Sequence, residues 1–495
     1  MNTPVLHPGQ LVMVDMEGIA LDAETAQFLR DHQVRAICLF RKNLGTREEV
    51  QKLTADLRAV LGPLGLIGID QEGGSVIRAT FLPQAPAAMA LGAADDEKTA
   101  YAVGAAVARG LRSLGINWNF APVLDVNNNP ANPVIAERSF SADPYAVARL
   151  AEAWMQGSMS EGVACCVKHF PGHGDTHTDS HHALPSVDKS LAELEALELI
   201  PFRALADTAP AVMTAHIVYP QIDPEYPATL SCKLLTGVLR DAVGYQGVII
   251  TDALMMKAVH DRYGHARAAV LSLQAGADVV LAQGARHEQL AALESIGAAI
   301  TAGVLNAAAL EKARVRIDAL AARFPLTQTT YTQAQQEQDQ QLMHRAWASG
   351  LTAVGSTQAP KPGDAIRVIG QAEVVSDGVS EAGLAFAQIR ALFSDFSDVQ
   401  FMPVPDLRTM DATTLPSDGR ANILVSNHHG RYASEAKAWP IDLHLAVWNP
   451  FQVFDITAPA VITWGYADGA LVALRAWLLG QAGTPGVTPV PLTTA

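Results

Sequence analysis

Eight short apolar runs recur through the first two-thirds of the chain, and most are separated by segments with helical patterning. The runs are mostly continuous and rich in Val and Ile, which is typical of parallel strands buried on both faces. Strand–helix alternation repeated eight times favours a closed (β/α)8 TIM-type barrel, and an open doubly wound sheet is the alternative. The runs cover residues 11–16, 36–40, 66–70, 116–125, 163–169, 211–216, 247–252 and 277–282.

Helix signals support this alternation. Within residues 49–60, the apolar positions Val50, Leu53, Leu57 and Val60 fall on one helical face. Asp143 followed by a proline predicts a helix start with an N-cap residue and proline in the first turn. Ser190, with a glutamate three residues later, predicts a capping box.

A polar, glutamine-rich stretch at residues 328–345 separates the barrel pattern from a second strand-like pattern. We expect this stretch to form a solvated helix. Apolar runs at 366–369, 423–427, 443–448 and 461–466 then predict a smaller α/β sandwich domain. The predicted organisation is therefore a catalytic barrel over 1–327, a partly helical linker over 328–362 and a C-terminal α/β domain over 363–495 with no assigned role.

Composition excludes several classes of protein. Of the 495 residues, 49% are hydrophobic and 17% are charged, which excludes a disordered chain. The net charge of −15 disfavours binding to nucleic acids and to anionic membranes. We find no targeting signal and no 18-residue apolar run, so a cytoplasmic location is predicted. The four cysteines show no metal-ligand spacing and are interpreted as small buried hydrophobic residues.

Polar residues follow the predicted strands, where the active site of a barrel lies. The densest group is the segment 167–182, which contains five of the fifteen histidines together with Asp175 and Asp179. Its proline and glycines predict a loop. The other strand-end residues are Asp70-Gln71-Glu72, Asp125, Arg138, His216 and Asp252.

Two interpretations of this loop remain open from the residues alone. His and Asp at short spacing are usual metal ligands, although the helical pattern H-x-x-x-H is missing. The other interpretation is an acid/base pair: Asp179 and His181 are two residues apart and point the same way in an extended segment. Asp252 closes an apolar strand and would then serve as a carboxylate nucleophile in the barrel mouth.

Several ordered motifs resemble glycoside hydrolase family 3, in particular its bacterial β-N-acetylglucosaminidases (β-N-acetylhexosaminidases). The longest is KHFPGHGDTHTDSHHALP at 168–185. GIDQEGG (68–74), APVLDV (121–126), AERSF (136–140) and GVIITDALMM (247–256) follow the family order. The second domain resembles the family's C-terminal α/β domain through WNP (448–450) and GTPGVTPV (483–490).

The resemblance implies a role for each matching residue. Asp252 would be the nucleophile, His181 the general acid/base and Asp179 its partner. Asp70, Arg138, Lys168 and His169 would hold sugar hydroxyls. Arg78 is a further sugar-binding candidate with a structural arginine as the alternative, and Met256, with Met255, is a pocket-lining candidate with packing as the alternative. Asp125 and His216 are either site residues or hydrogen-bond partners of site residues, and His177 and His182 receive no role.

The function implied by the resemblance is a retaining exo-β-N-acetylglucosaminidase that releases GlcNAc from cell-wall muropeptides through a covalent glycosyl-enzyme. The implied partner is a small-molecule glycoside, with no metal and no cofactor, and no oligomeric state is predicted. Three alternatives stay open: a phosphorylase that uses the same residues, a metal-dependent barrel hydrolase and a non-catalytic sugar-binding protein.

Overall fold

The computed structural model describes residues 6–180, 183–376 and 378–492. The chain forms two compact units. The barrel unit contains the chain up to Gln71 together with Gly104–Val126 and Ala151–Thr332. The second unit contains Glu72–Val103, Asn127–Leu150 and the chain from Gln333 onward. The second unit thus includes two segments from within the first 327 residues, and the division into the ranges 1–327, 328–362 and 363–495 stays a prediction.

Eight parallel strands form the sheet of the barrel unit, which confirms the predicted (β/α)8 architecture. The strands are β1 Val12–Val14, β2 Ala36–Leu39, β3 Leu66–Ile69, β4 Trp118–Asn119, β5 Ala164–Phe170, β6 Ala211–Thr214, β7 Val248–Ile250 and β8 Val280–Leu281. Seven of them lie within the predicted apolar runs, and β5 extends one residue beyond its run. Their spatial order is β8-β1-β2-β3-β4-β5-β6-β7, and a bridge between Ile250 and Val279 connects the end of β7 to the residue before β8, so that the barrel is nearly closed.

Burial explains the uninterrupted apolar runs. Every residue of these eight strands is buried, as expected when side chains on one face fill the barrel and those on the other contact helices. Gly68 in β3 shows how tightly the interior is filled, because a Cβ there would lie 2.5 Å from the ring of Phe120. Lys168 and His169 in β5 are also buried although their side chains are polar.

The predicted helix starts are confirmed. Asp143 accepts the backbone N–H of Tyr145 at 3.0 Å at the start of the helix Pro144–Ser160, and Ser190 forms a capping box with Glu193 at the start of the helix Leu191–Ala196. The helix Arg47–Leu61 covers the predicted apolar face and begins with a further capping box, between Thr46 and Glu49. The other helices are Ala23–Asp31, Ala88–Ala94, Glu97–Ser113, Leu199–Ala204, Lys257–Tyr263, His265–Ala275, Arg286–Thr301, Ala307–Arg323, Gln333–Gly350, Phe386–Leu392 and Asp468–Leu478, with a π-helix at Lys233–Ala242.

The second unit contains a six-stranded sheet, which confirms a second α/β fold. The strands are β9 Thr352–Val354, β10 Ile366–Gln371, β11 Val399–Val404, β12 Ala421–Ser426, β13 Leu443–Ala446 and β14 Ala460–Ile462. Their order in the sheet is β9-β14-β13-β12-β10-β11, and β9 alone runs antiparallel to its neighbour. The edge strands β9 and β11 were not predicted. Two short strands, Gln71–Gly73 and Val76–Ile77, form a separate small sheet.

The glutamine-rich stretch forms the helix Gln333–Gly350, but the expectation that it is solvated throughout is wrong. Asp339 and Met343 within the stretch are buried, and Ala346 and Trp347 just after it continue the same buried helical face. The ring of Trp347 packs on Gly465 and Gly469, where added Cβ atoms would lie 2.6 and 2.4 Å from it. The final turns therefore belong to the core of the second unit.

Candidate active site

Asp252 lies directly after the short strand β7 and its carboxylate is half-buried. Its Oδ1 accepts a hydrogen bond from the backbone N–H of Ala253 at 2.7 Å. The Nε2 atom of fully buried His216 lies 3.0 Å from the carbonyl oxygen of Ala253. Nε2 must be the donor, because a carbonyl oxygen can only accept. The other ring nitrogen of His216 lies 2.8 Å from the Thr229 hydroxyl. The backbone that carries the carboxylate is therefore held by a neighbouring strand end.

Asp70 and Lys168 form an ion pair at the ends of β3 and β5. Lys168 Nζ lies 2.7 Å from Asp70 Oδ1, and the lysine side chain is 3% exposed. Burial raises the pKa of the Cys166 thiol in β5; the carboxylates of Asp70 and Asp252 raise it further, whereas Lys168 opposes them. Charge interactions weaken with distance. The lysine and both predicted carboxylates thus act on one buried thiol.

Asp125 is fully buried and organises the end of β5. Its Oδ1 accepts the backbone N–H groups of His169 and His173 at 3.1 and 2.7 Å, and its Oδ2 lies 2.7 Å from Nδ1 of His169. Burial acts to raise the pKa of Asp125, but attraction to His169 and His173 and these hydrogen bonds hold it below its ordinary value. Asp125 is therefore a hydrogen-bond partner of His169, one of the two roles left open by the sequence.

The loop after β5 carries the predicted acid/base pair. Asp179 is half-buried, and its carbonyl oxygen accepts a hydrogen bond from the backbone N–H of Ala183 at 3.1 Å. His181 lies outside the described residues, as does His182. The pairing of Asp179 with His181 stays a prediction.

Arg138 and Arg78 belong to the second unit. The guanidinium of Arg138 makes a two-point ion pair with Glu72, with N···O distances of 2.9 and 2.8 Å, and also donates to the Val134 carbonyl at 3.1 Å. Arg78 Nη1 donates to the Val379 carbonyl at 2.8 Å and lies 3.2 Å from a carboxylate oxygen of Glu381. The contacts of Arg78 support the structural interpretation, and the sugar-binding roles of both arginines stay predictions.

The two methionines after Asp252 differ in exposure. Met256 is 6% exposed and Met255 is 47% exposed. Burial of Met256 agrees with packing or with a pocket wall, and its role stays a prediction.

Two glutamates of the second unit, Glu72 and Glu137, received no role in the sequence analysis, although Glu72 was listed among the strand-end residues. Glu72 fixes Arg138. Glu137 is 1% exposed, and its Oε1 accepts hydrogen bonds from Ser75 at 2.6 Å and from the Trp448 indole at 2.9 Å. Both glutamates stand in motifs quoted above, GIDQEGG and AERSF, and for Glu137 that position in a motif is the signal that could have identified it.

Metal-binding clusters and membrane-spanning helices were sought within residues 6–180, 183–376 and 378–492. In these ranges, no group of three or more His, Cys, Asp or Glu side chains is arranged to hold a metal ion. No helix in this part of the chain has both the length and the apolar character needed to cross a membrane.

Comparison with known proteins identifies the family. The profile described as the glycosyl hydrolase family 3 N-terminal domain matches residues 6–320. The chain belongs to glycoside hydrolase family 3. This confirms the resemblance drawn from the motifs, and the enzyme is a glycoside hydrolase.

Relatives of this family 3 hydrolase carry hexosaminidase names. It is 42% identical over 281 residues to a β-hexosaminidase of Chromobacterium violaceum, covering 54% of this chain and 77% of the relative. It is 40% identical over 290 residues to a β-hexosaminidase of Neisseria meningitidis serogroup C, covering 57% of this chain and 80% of the relative.

Solved structures extend the similarity over both folds. A family 3 β-N-acetylglucosaminidase from Paenibacillus sp. str. FPU-7 matches 99% of this chain and 98% of its own, with a TM-score of 0.88 and 32% identity. NagZ from Neisseria gonorrhoeae, in complex with N-trifluoroacetyl-D-glucosamine, matches 63% of this chain and 98% of its own, with a TM-score of 0.51 and 34% identity.

Proposed function

We propose that this family 3 hydrolase is a retaining exo-β-N-acetylglucosaminidase. The β-hexosaminidase and β-N-acetylglucosaminidase names of its relatives support the sugar. The observation that carries the mechanism is Asp252, a half-buried carboxylate on a fixed backbone at the C-terminal end of β7, where barrel enzymes place catalytic groups.

In the first step Asp252 attacks the anomeric carbon and forms a carbon–oxygen bond to the sugar. The glycosidic bond breaks, and His181 gives its proton to the departing oxygen while Asp179 orients the imidazole and stabilises its charge. In the second step His181 takes a proton from water, the water oxygen attacks the anomeric carbon, and the Asp252 carboxylate is released. Two inversions restore the β configuration.

Four polar residues would hold the hydroxyl groups of the sugar: Asp70, Lys168, His169 and Arg138. The Asp70–Lys168 pair offers an acceptor beside a donor, as one hydroxyl group requires. The Nδ1 atom of His169 is engaged by Asp125, which leaves Nε2 as the ring atom for a hydroxyl. Arg78 and Met256 are further candidates for contacts with the sugar.

The substrate we propose is GlcNAc-β-1,4-(anhydro-)N-acetylmuramic acid from cell-wall turnover, and the location we propose is the cytoplasm, where a recycling role would place the enzyme. Both finer proposals follow from the family resemblance.

The test follows hydrolysis of phenyl β-GlcNAc by NMR. We expect β-GlcNAc as the first-formed anomer; α-GlcNAc would contradict retention. Asp252→Ala should lower kcat/KM by at least about 10³-fold, whereas Asp241→Ala, an exposed aspartate of the barrel unit, should leave it unchanged. Near wild-type activity of Asp252→Ala would refute the nucleophile.

The same assay separates the remaining alternatives. Phosphate-dependent formation of GlcNAc-1-phosphate would identify a phosphorylase that uses the same residues. Tight binding of GlcNAc with no turnover of any aryl glycoside would identify a sugar-binding protein.

A further inference from the structure

The loop after β5 is wound around a buried histidine to which the mechanism above gives no role. His173 is 3% exposed. Its Nδ1 lies 2.8 Å from the hydroxyl of Thr176, and its Nε2 lies 3.2 Å from the hydroxyl of Ser180. Thr176 is fully buried and Ser180 is 2% exposed. The buried His173 ring therefore links the start of the segment 173–180 to Thr176 in its middle and to Ser180 at its end.

Ser180 stands between the two members of the predicted acid/base pair. Asp179 precedes it and His181 follows it in the chain. Ser180 is buried whereas Asp179 is only half-buried, so Ser180 faces the interior. Its carbonyl oxygen also accepts a hydrogen bond from the backbone N–H of Ala258 at 3.4 Å, in the helix that follows Asp252. The position of Ser180 thus fixes where the chain presents Asp179.

The base of the loop is fixed as firmly. The buried Asp125 carboxylate accepts the backbone N–H of His173 at 2.7 Å, and buried Tyr219 donates its hydroxyl to the carbonyl of Gly172 at 2.7 Å. Gly172 has a φ of +135°, and a Cβ there would lie 2.8 Å from the side chain of Glu198. Farther out, Lys189 holds Asp175 at 2.7 Å. The backbone at Gly172 and His173 is therefore held in place by buried contacts.

We infer that Asp125 and His173 are positioning residues for general acid/base catalysis: Asp125 fixes the base of the loop, and the His173 ring sets Ser180 and with it the placement of Asp179, the predicted partner of His181. This inference rests on the proposed function. Asp125 also binds His169, a predicted sugar ligand, so its removal would disturb two parts of the site. His173 lies within hydrogen-bond distance of Ser180, next to Asp179, and packs its ring against His169 with the ring centroids 5.6 Å apart. It is therefore the better residue for a test.

The experiment compares leaving groups. Expulsion of a phenol needs a proton, whereas 2,4-dinitrophenolate departs without one, so only the first reaction depends on a well-placed acid. We expect His173→Ala to lower kcat/KM for phenyl β-GlcNAc by about 10- to 100-fold, because an ångström of misplacement has an effect of that size. We expect less than about a 3-fold change for 2,4-dinitrophenyl β-GlcNAc. Azide attacks the glycosyl-enzyme without needing a base. It should therefore raise kcat of His173→Ala for the dinitrophenyl substrate and give the β-glycosyl azide.

Three further variants make the comparison specific. Ser180→Ala should lose activity on the phenyl substrate but not on the dinitrophenyl substrate, as His173→Ala does. The double variant His173→Ala/Ser180→Ala should have the same kcat/KM as His173→Ala, because both substitutions remove the same contact. His173→Gln, which retains a side chain able to hydrogen-bond Ser180, should recover part of the loss. Thr178→Ala, an exposed position of the same loop, should behave as wild type. Inhibition by GlcNAc should stay unchanged in all of them.

Equal losses with both substrates, additive losses in the double variant or no loss would overturn the inference. If His173→Ala does not fold, Ser180→Ala and His173→Gln provide the same test. A wild-type enzyme inactive on both glycosides would instead refute the proposed function, so the two failures are distinguishable.

Discussion

Two buried histidines should make the second unit sensitive to mild acid. His444 in β13 is fully buried, with Nε2 at 2.7 Å from the hydroxyl of Ser426, and burial lowers its pKa to about 3. His428 is 4% exposed, and burial, followed by the charge of Arg408, lowers its pKa to about 4 although Asp406 opposes the shift. Both imidazoles are therefore neutral in the folded protein at pH 5.

The sign follows from proton uptake. In the unfolded chain each histidine has its ordinary pKa of 6.5, so below that pH the unfolded chain binds protons that the folded chain does not, and folding loses stability as the pH falls. The loss continues down to about pH 4 for His428 and about pH 3 for His444. Between pH 7 and pH 5 each histidine lowers the free energy of unfolding by about 2 kcal/mol, and the two together by about 4 kcal/mol.

Urea unfolding at pH 7 and pH 5, followed by tryptophan fluorescence, measures this loss, because five of the seven tryptophans lie in the second unit. His444→Gln keeps a polar group for Ser426, and His428→Phe keeps a ring against Tyr432, but neither can be protonated. Each should reduce the drop between the two pH values by about 2 kcal/mol. His287→Gln, at an exposed position, should not. If both variants lose as much stability as wild type, the reasoning is wrong.

Two further predictions concern packing in the barrel unit, and a third concerns metal dependence. Gly172→Ala places a Cβ against Glu198 at positive φ and should lower the unfolding free energy by about 2 kcal/mol or more; an unchanged melting temperature would contradict this packing. Asp278, buried between Arg240 and Arg316 just before β8, should cost about 3 kcal/mol of stability when replaced by Ala but leave kcat of the folded enzyme intact; a selective fall in kcat would show a role in the reaction. Exhaustive chelation should leave activity unchanged, and a loss restored by added metal would support the metal-dependent alternative.

The sequence was most informative where burial is uniform. The eight barrel strands could be predicted because each is covered on both faces, and continuous Val- and Ile-rich runs follow from that. β11 was missed because it is an edge strand, half-exposed along most of its length and containing Pro403. β9 is only three residues long. Trp347 was overlooked because the polar residues before it dominate the local composition.

Positions at strand ends could be predicted better than contacts between side chains. The strand-end positions of Asp70, Lys168 and Asp252 follow from the apolar runs before them, whereas the pairing of Arg138 with Glu72 joins residues 66 positions apart. The hydrogen bonds of His173 depend on the course of an irregular loop, which periodicity does not encode. Likewise, nothing in the pattern of segments 72–103 and 127–150 indicates that they pack in the second unit.

The central claim is that Asp252 becomes covalently bound to the sugar, and the direct measurement is to trap that species. A 5-fluoro derivative of β-GlcNAc fluoride should form the glycosyl-enzyme faster than water removes it, and peptide mass mapping should then find the added mass on the peptide that contains Asp252, with no label in Asp252→Ala. Label on another carboxylate, or full turnover with no label at any residue, would contradict the account.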